Sequence, residues 1–314
     1  MKPIVPVLLI LLFASAYSDA ADNAKYDQAD TTQTTVPPSS EVQDSGAMIL
    51  SAFFGADDAF GPLANRLICE GAEGGDGMPL VFSHQLDIST LQPGDFKITR
   101  ADGSTGRLVC VTPMPALDEG ELRTILLIGE YGSAENQPVQ VDVVGNLLSI
   151  DGSLNFRNSS STVIPLEEGP TLIYAEVVPE GQWDLGKEQS TGLQFGAPGD
   201  GCPEATQQVV RVVWTGGITK PGGDEIDDVQ RLAYKVFVED NVGELTMILP
   251  FAVADLRDSD NNHELCLATT AKPVRIEFPA GLMTDPIEDL NPATSIGVTY
   301  LPFALKTSER AHFG

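Results

Sequence analysis

From Ala47 onward, short runs of β-branched and aromatic residues recur, separated by clusters of Gly, Pro, Asp and Asn. Several runs alternate with period two. "PVQVDVV" sets Val139, Val141 and Val143 on one face, and "VRIEF" does the same with Val274, Ile276 and Phe278. "FKIT", "RTILLIG", "VVRVVW" and "YKVFV" are equally short and bounded by turn residues, which predicts strands. Sustained helical periodicity is nearly absent. In "DDVQRLAYKVFV", Val229, Leu232, Ala233 and Val236 suit a helix face as well as a strand. "GPLANRLIC" suits one helical turn with Pro62 at its first position. Many short strands at loop-like spacing predict an all-β chain of antiparallel sandwiches.

The ends of the chain read differently. "MKPIVPVLLILLFASAYSDA" has a basic Lys2, an apolar run from Ile4 to Phe13 and small residues after it. That is the pattern of a secretory signal peptide over residues 1–20, too short and wrongly flanked for a membrane anchor. No Cys lies near the cut to carry a lipid, and no later run approaches membrane-spanning length, so the mature chain is expected to be secreted or periplasmic. Residues 21–45, rich in Thr, Ser, Gln, Asp and Pro, hold too little apolar surface to fold and predict a flexible polar linker. Residues 306–314 form a C-terminal tail.

Between these ends the sequence parallels itself. "PLVFSHQLDIS" at 79–89 matches "VRVVWTGGITK" at 210–220, and "VVGNLLSIDGSLNF" matches "FPAGLMTDPIEDLNP", with Gly145 opposite Gly281. Two units are predicted, 46–165 and 168–305, each the size of one β-sandwich.

"VFSHQLDISTLQPGDFKITRADGSTG" resembles the opening half of bacterial Ig-like domains of the S-layer and adhesin type. "FPAGLMTDPIEDLNP" and "VVGNLLSIDG" resemble their closing segment. The second unit departs from the pattern at "WTGGITKPGGDEIDDVQ", which lacks the Phe-Ser pair and carries a longer insert. The resemblance implies two tandem Ig-like antiparallel β-sandwich domains that work as spacers and binding modules. The four cysteines, Cys69, Cys110, Cys202 and Cys266, allow three connectivities by themselves. Under the resemblance Cys69 and Cys202 fall in equivalent places, between the first and second strands of their units. Bonds within units, Cys69–Cys110 and Cys202–Cys266, follow as the expected pairing.

Composition narrows the partners. With 45 acidic and 18 basic residues the formal charge is -27, a surface that repels phosphate backbones, so nucleic acid is not expected. The most concentrated acids lie in "DLRDSDNNHELC", where Asp255, Asp258, Asp260, Asn262 and Glu264 offer oxygens at close spacing. "TDPIEDLNP" adds Asp285, Asp289 and Asn291 in a second loop. Hard cations take six to eight oxygens, and Ca²⁺ tolerates irregular geometry. Both loops belong to the second unit, and a sandwich gathers its loops at two ends, so a shared Ca²⁺ site is one reading. Asp and Asn are also ordinary turn formers, and a solvated loop is the other. An EF-hand is excluded, because His263 stands where the sharp-turn Gly belongs and Thr269 where the bidentate Glu belongs.

Other chemistry finds less support. "HELCL" lacks the second His of a zincin, and no G-x-S-x-G elbow exists for a secreted hydrolase. Periplasmic copper-handling proteins also pair a sandwich with a Phe-Ser strand, and His84 follows Ser83 directly. Yet the N-terminal region offers no His, and the six Met residues are scattered. The expectation is an exported, non-catalytic binding or spacer protein of the cell surface or periplasm, with Ca²⁺ rigidifying the second unit. Its partner would be a surface protein or polysaccharide. Copper handling and hydrolysis are the alternatives.

Overall fold

The computed structural model describes residues 46–116, 120–183, 188–189, 199–254 and 260–300. The predicted signal peptide, linker and C-terminal tail, together with Asp255 and Asp258, lie outside the described residues. The chain is all-β, and every pairing between its named strands is antiparallel. It divides into two compact units. Unit 1 runs to Met114 and resumes over Leu122–Leu166, and unit 2 takes Pro115–Glu121 and everything from Glu167 onward.

In unit 1 the strands are β1 (Ile49–Ala52), β2 (Asp76–Phe82), β3 (Phe96–Arg100), β4 (Arg107–Thr112), β5 (Thr124–Glu130), β6 (Pro138–Val143) and β7 (Ser160–Thr162). They form one sheet in the order β1-β2-β5-β4 and a second in the order β3-β6-β7. The core draws alternate residues from both: Met78, Leu80 and Phe82 of β2, Ile125 and Leu127 of β5, Ile98 of β3, Val141 and Val143 of β6. Val139 shares their parity but is 43% exposed, because the β3–β6 register slips between Thr99 and Arg100, next to it.

The four-stranded sheet is apolar on its outer face as well. β2 is buried at six of its seven positions, and Ile128 of β5 with Cys110 of β4 packs under a separate apolar cluster. The cover is the loop between β1 and β2, which holds the single-turn helix α1 (Ala64–Leu67). Its N-cap is Leu63, so Pro62 precedes the helix by two residues instead of opening it. A disulfide from Cys69 to Cys110 fastens this loop to the sheet.

In unit 2 the strands are β8 (Leu172–Val177), β9 (Glu188–Gln189), β10 (Gly199–Asp200), β11 (Gln208–Trp214), β12 (Lys235–Glu239), β13 (Leu245–Ile248), β14 (Ala252–Ala254), β15 (Asn262–Leu267), β16 (Lys272–Phe278) and β17 (Thr294–Gly297). β9 and β10 pair with each other; the rest form the sheets β14-β15-β11-β8 and β13-β12-β16-β17. Trp214, Val212 and Val210 of β11 face Ile276 and Phe278 of β16 and Val236 and Val238 of β12 in the core. Again the outer face is covered. Val178, Cys202, Val209, Ala254 and Cys266 form their own buried cluster, closed by the disulfide Cys202–Cys266.

The ambiguous run "DDVQRLAYKVFV" divides into both structures. Helix α2 (Asp228–Ala233) opens on a capping box, in which the Asp227 side chain accepts from the Val229 N–H and the Gln230 side chain accepts from the Asp227 N–H. At Tyr234 the backbone turns extended and β12 begins. Among the described residues no helix is long and apolar enough to cross a membrane.

The two disulfides join residues 41 and 64 positions apart. On the chain-entropy argument each contributes about 4 kcal/mol by restricting the unfolded chain. Replacing either pair by alanines is expected to lower stability by about that much while leaving the other bond intact, read from urea unfolding midpoints and from the mass of the thiol-alkylated protein.

Candidate functional site

The segment that looked like a loop, "DLRDSDNNHELC", becomes strand β15 from Asn262 onward. Its alternation then assigns each side chain a direction. His263, Leu265 and Leu267 lie opposite Val212, Val210 and Gln208 of β11, while Glu264 lies opposite Arg211. Arg211 in turn lies opposite Glu176 of β8. The result is a cross-strand row, Glu176–Arg211–Glu264. Arg211 donates to Glu264 at 2.7 Å and to Glu176 at 3.4 Å.

The row is buried: the side chains of Arg211 and Glu176 are each 3% exposed, and that of Glu264 is 13% exposed. Arg211 also donates to the Gly120 carbonyl at 3.0 Å, which lies in the Pro115–Glu121 segment of unit 2. Gly120 has φ +95, and a Cβ there would collide with the guanidinium. Burial alone would lower the Arg211 pKa, but the carboxylates of Glu264, Glu121 and Glu176 outweigh it and hold the pKa raised. Glu264 is thereby committed to a structural ion pair. Removing one partner from such a buried pair costs far more than the pair itself is worth.

The other residues expected to ligate Ca²⁺ are placed as follows. Asp260 accepts from the backbone N–H and the side-chain amide of Asn262, both at 2.7 Å. Asn291 accepts from Leu282 and Met283 N–H and donates to the Pro279 and Pro292 carbonyls. Asp285 caps its own turn, with one carboxylate oxygen accepting from Ile287 at 3.1 Å and Asp289 at 2.9 Å. The structure therefore ties Asp260 to Asn262 and Asp285 to Asp289, and gives Asn291 a full set of backbone partners. Among the described residues of the two loops, no three carboxylates converge on one point.

Among the described residues, three carboxylates do converge, and they lie in unit 1. One oxygen from each of Asp57, Asp58 and Asp76 falls within 4.8 Å of the others. Asp76 opens β2 and is 1% exposed. It accepts from the N–H groups of Tyr131 at 2.7 Å, Gly132 at 3.0 Å and Asp58 at 3.2 Å, which draws the loop after β1 onto the end of β5. Asp58 sits at φ 51, in the left-handed region. Burial raises the Asp76 pKa against these three bonds, and Asp57 adds to the rise. Asp57 is raised by burial and by its neighbours Asp58 and Glu135. The chemistry of the three carboxylates is that of a set that could hold an oxygen-seeking cation. The sequence reading passed over it because Asp76 stands 18 positions from Asp58 and only the β1–β2 pairing brings the two together.

The described histidines hold no shared site. His263 is 3% exposed, and its Nδ1 lies 2.7 Å from the Tyr234 hydroxyl. That hydroxyl also accepts from Trp214 Nε1 at 3.0 Å, and the imidazole is neutral. Burial lowers its pKa to about 3, which agrees. His84, in unit 1, is half-buried with Nδ1 3.1 Å from Ser83 Oγ. His312 lies outside the described residues. Trp214 fills the core against Phe278, centroid to centroid 5.2 Å, and Trp183 donates to the Val178 carbonyl at 2.8 Å.

Neither a protein-family model nor a curated protein matches this chain.

Two buried carboxyls set a pH dependence. Burial raises both Asp95 and Asp285 to a pKa of about 6, and each has one oxygen without a hydrogen bond. The native state then holds protons that the unfolded chain releases near 3.8. Stability from these groups is full below about pH 4 and declines until about pH 6. Asp285→Asn keeps an oxygen for Ile287 and Asp289 and cannot ionise. Its melting temperature relative to the native chain is expected to rise as pH is taken from 4 to 7, measured by circular dichroism at each pH.

Proposed function

We propose that this protein is an exported, non-catalytic binding or spacer protein of the cell surface or periplasm, its two units being Ig-like sandwiches. The observation that carries the reading is the state of the cysteines: all four are closed into two disulfides, each within one unit. Disulfides persist in oxidising compartments, and here each one holds a loop against the outside of a sheet. Two such units in series behind a polar stretch suit a module that holds a binding surface away from its point of attachment. The buried polar groups support the same view. Asp76, Asn291, Arg211 and His263 each bond to neighbours that shape the fold, as a scaffold requires. Ligands of this class are surface proteins or polysaccharides. The acidic balance of -27 disfavours nucleic acid.

The export part of the reading is tested by mass spectrometry of the protein recovered from the native host. The expected species starts at residue 21, outside the cytoplasm, with no free thiol. A cytoplasmic chain that keeps Met1 and reduced cysteines would overturn it.

Calcium belongs to the reading as a stabiliser, with Asp57, Asp58 and Asp76 as its proposed ligands. After EDTA treatment, Ca²⁺ at about a hundredfold its dissociation constant should add about 2.7 kcal/mol to stability. Protons compete at the raised carboxyls of Asp57 and Asp76, so the gain is expected to be larger at pH 7.5 than at pH 4.5. It should vanish in Asp57→Asn/Asp58→Asn, which spares the Asp76 staple. An equal shift in that double variant, or none in the native chain, removes calcium from the account.

A further inference from the structure

The two loops that cover the sheets are not fastened alike. In unit 1 the cover lies between β1 and β2 and is braced mainly against itself. Asn65 Oδ1 accepts from the Gly71 N–H at 2.9 Å and the Glu73 N–H at 3.0 Å, and its Nδ2 donates to Glu73 at 3.0 Å. Gly74 N–H donates to the Phe60 carbonyl at 2.8 Å, which closes the stretch into one piece. At its root, Gly77 N–H donates to the Ala56 carbonyl at 3.0 Å and Asp58 N–H to Asp76 at 3.2 Å. Beyond that root, from Ala59 to Gly75, no hydrogen bond or ion pair runs to the sheet beneath among the described residues.

Two kinds of contact are left to hold the cover down. One is apolar and thin. Ala64 and Ala72 are buried with Ile128 and Cys110, whereas Phe60, Ile68 and Cys69 are only partly buried and Leu63 is 62% exposed. Alanine removes little area from water, and the hydrophobic gain scales with area. A single helical turn such as α1 does not hold itself together. The other contact is the Cys69–Cys110 bond.

Unit 2 differs at each point. Val178 N–H donates to the Val209 carbonyl at 3.0 Å and Gln207 N–H to the Leu267 carbonyl at 2.9 Å, so backbone bonds run from the covering chain to β11 and to the end of β15. Cys202 and Cys266 are both 0% exposed, and β15 lies inside its sheet, between β14 and β11. Cys69 is partly exposed, and Cys110 sits on β4, the end strand of its sheet. Thiol–disulfide exchange depends on access. A thiolate reaches the first bond in the folded chain, and it reaches the second only after unfolding.

We infer that Cys69–Cys110 is a redox latch and that residues 59–75 are the lid it holds shut. A dithiol reductant opens it in two exchanges. Its first thiolate attacks Cys69 Sγ, which forms a mixed disulfide and releases Cys110 as a thiolate that takes up a proton. Its second thiolate attacks the mixed disulfide and releases Cys69, which is protonated in turn. The reductant leaves as its own disulfide, and each cysteine has gained one electron and one proton. The lid then moves on its root at Ala56, Asp58, Asp76 and Gly77, and Ile128 and Cys110 come into water. Because the root stays bonded, the two thiols remain neighbours, and an oxidant closes the latch again.

Stepwise reduction of residues 21–314, which contain every described element, tests the latch. The oxidised chain is treated with dithiothreitol, quenched by alkylation and mapped by mass spectrometry. Cys69 and Cys110 are expected to be alkylated at least about tenfold faster than Cys202 and Cys266. Arg66 is the only Lys or Arg between 59 and 75. With the first bond open and the second intact, trypsin should cut after Arg66 at least about tenfold faster than in the oxidised chain, because local opening governs such a cut. The circular dichroism spectrum should not change, and removing the reductant should restore both the bond and the resistance to trypsin. Cys69→Ser/Cys110→Ser should show the fast cut without reductant while keeping the second bond. Reduction of both bonds together, or of Cys202–Cys266 first, overturns the latch. Selective reduction with no gain in cutting at Arg66 overturns the lid, since packing would then hold it without the bond. Loss of the native spectrum in the half-reduced chain or in the double variant also overturns the proposal, by making the bond a requirement of the fold.

Discussion

The central strands β2 and β11 are buried on both faces, and the rest of the architecture answers to that. β2 and β11 bury six of seven residues each. The opposing sheet can satisfy only one face of such a strand. The other face needs a second cover, or its side chains stay in water at about 25 cal/mol per Å² of apolar area. In unit 1 the cover is the α1 loop and in unit 2 the chain around Val178 and Cys202. Loops make poor lids because their ordering is costly. A disulfide offsets that cost in each unit by restricting the same loop in the unfolded chain.

The same constraint explains where the acids of this highly charged protein go. Among the described acids, Asp76, Asp95, Glu176, Asp260 and Asp285 are buried and held by hydrogen bonds, and Glu121 is buried as well. Asp76 gathers three N–H groups at the mouth of β2. Asp95 forms a capping box with Gln92, and Gly145 packs so closely on its carboxylate that a Cβ there would collide with it. Glu176 answers Arg211 across two strands. Of the acids that read as ligand donors along the sequence, Asp260, Glu264 and Asp285 are fasteners in the folded chain. The convergent group found among the described residues, at Asp57, Asp58 and Asp76, is partly a fastener as well.

The reading of "DLRDSDNNHELC" shows why the site was harder to see than the fold. Six carboxylate and amide side chains within ten residues suggest a loop around a cation. Yet "NHELCL" also alternates, with His263, Leu265 and Leu267 on one parity and Asn262, Glu264 and Cys266 on the other. That period-two signal was present, and the acidic composition masked it. Nothing local reveals that Arg211, 53 positions earlier, is the partner of Glu264. The run "DDVQRLAYKVFV" suits helix and strand alike, and the chain forms both. Its helix and strand propensities were both genuine, and the Asp227–Gln230 capping box decides where one yields to the other.

By itself the sequence determined the fold class, because alternation between turn clusters leaves a chain few options other than antiparallel sheets. In the folded chain the runs "VVRVVW" and "MPLVF" are almost wholly buried, Arg211 included. Only the tertiary structure decided which loop covers which face and which carboxylates converge. Those outcomes depend on pairing between residues tens of positions apart. Strand register sets that pairing, and a shift of one residue would send every side chain to the opposite face.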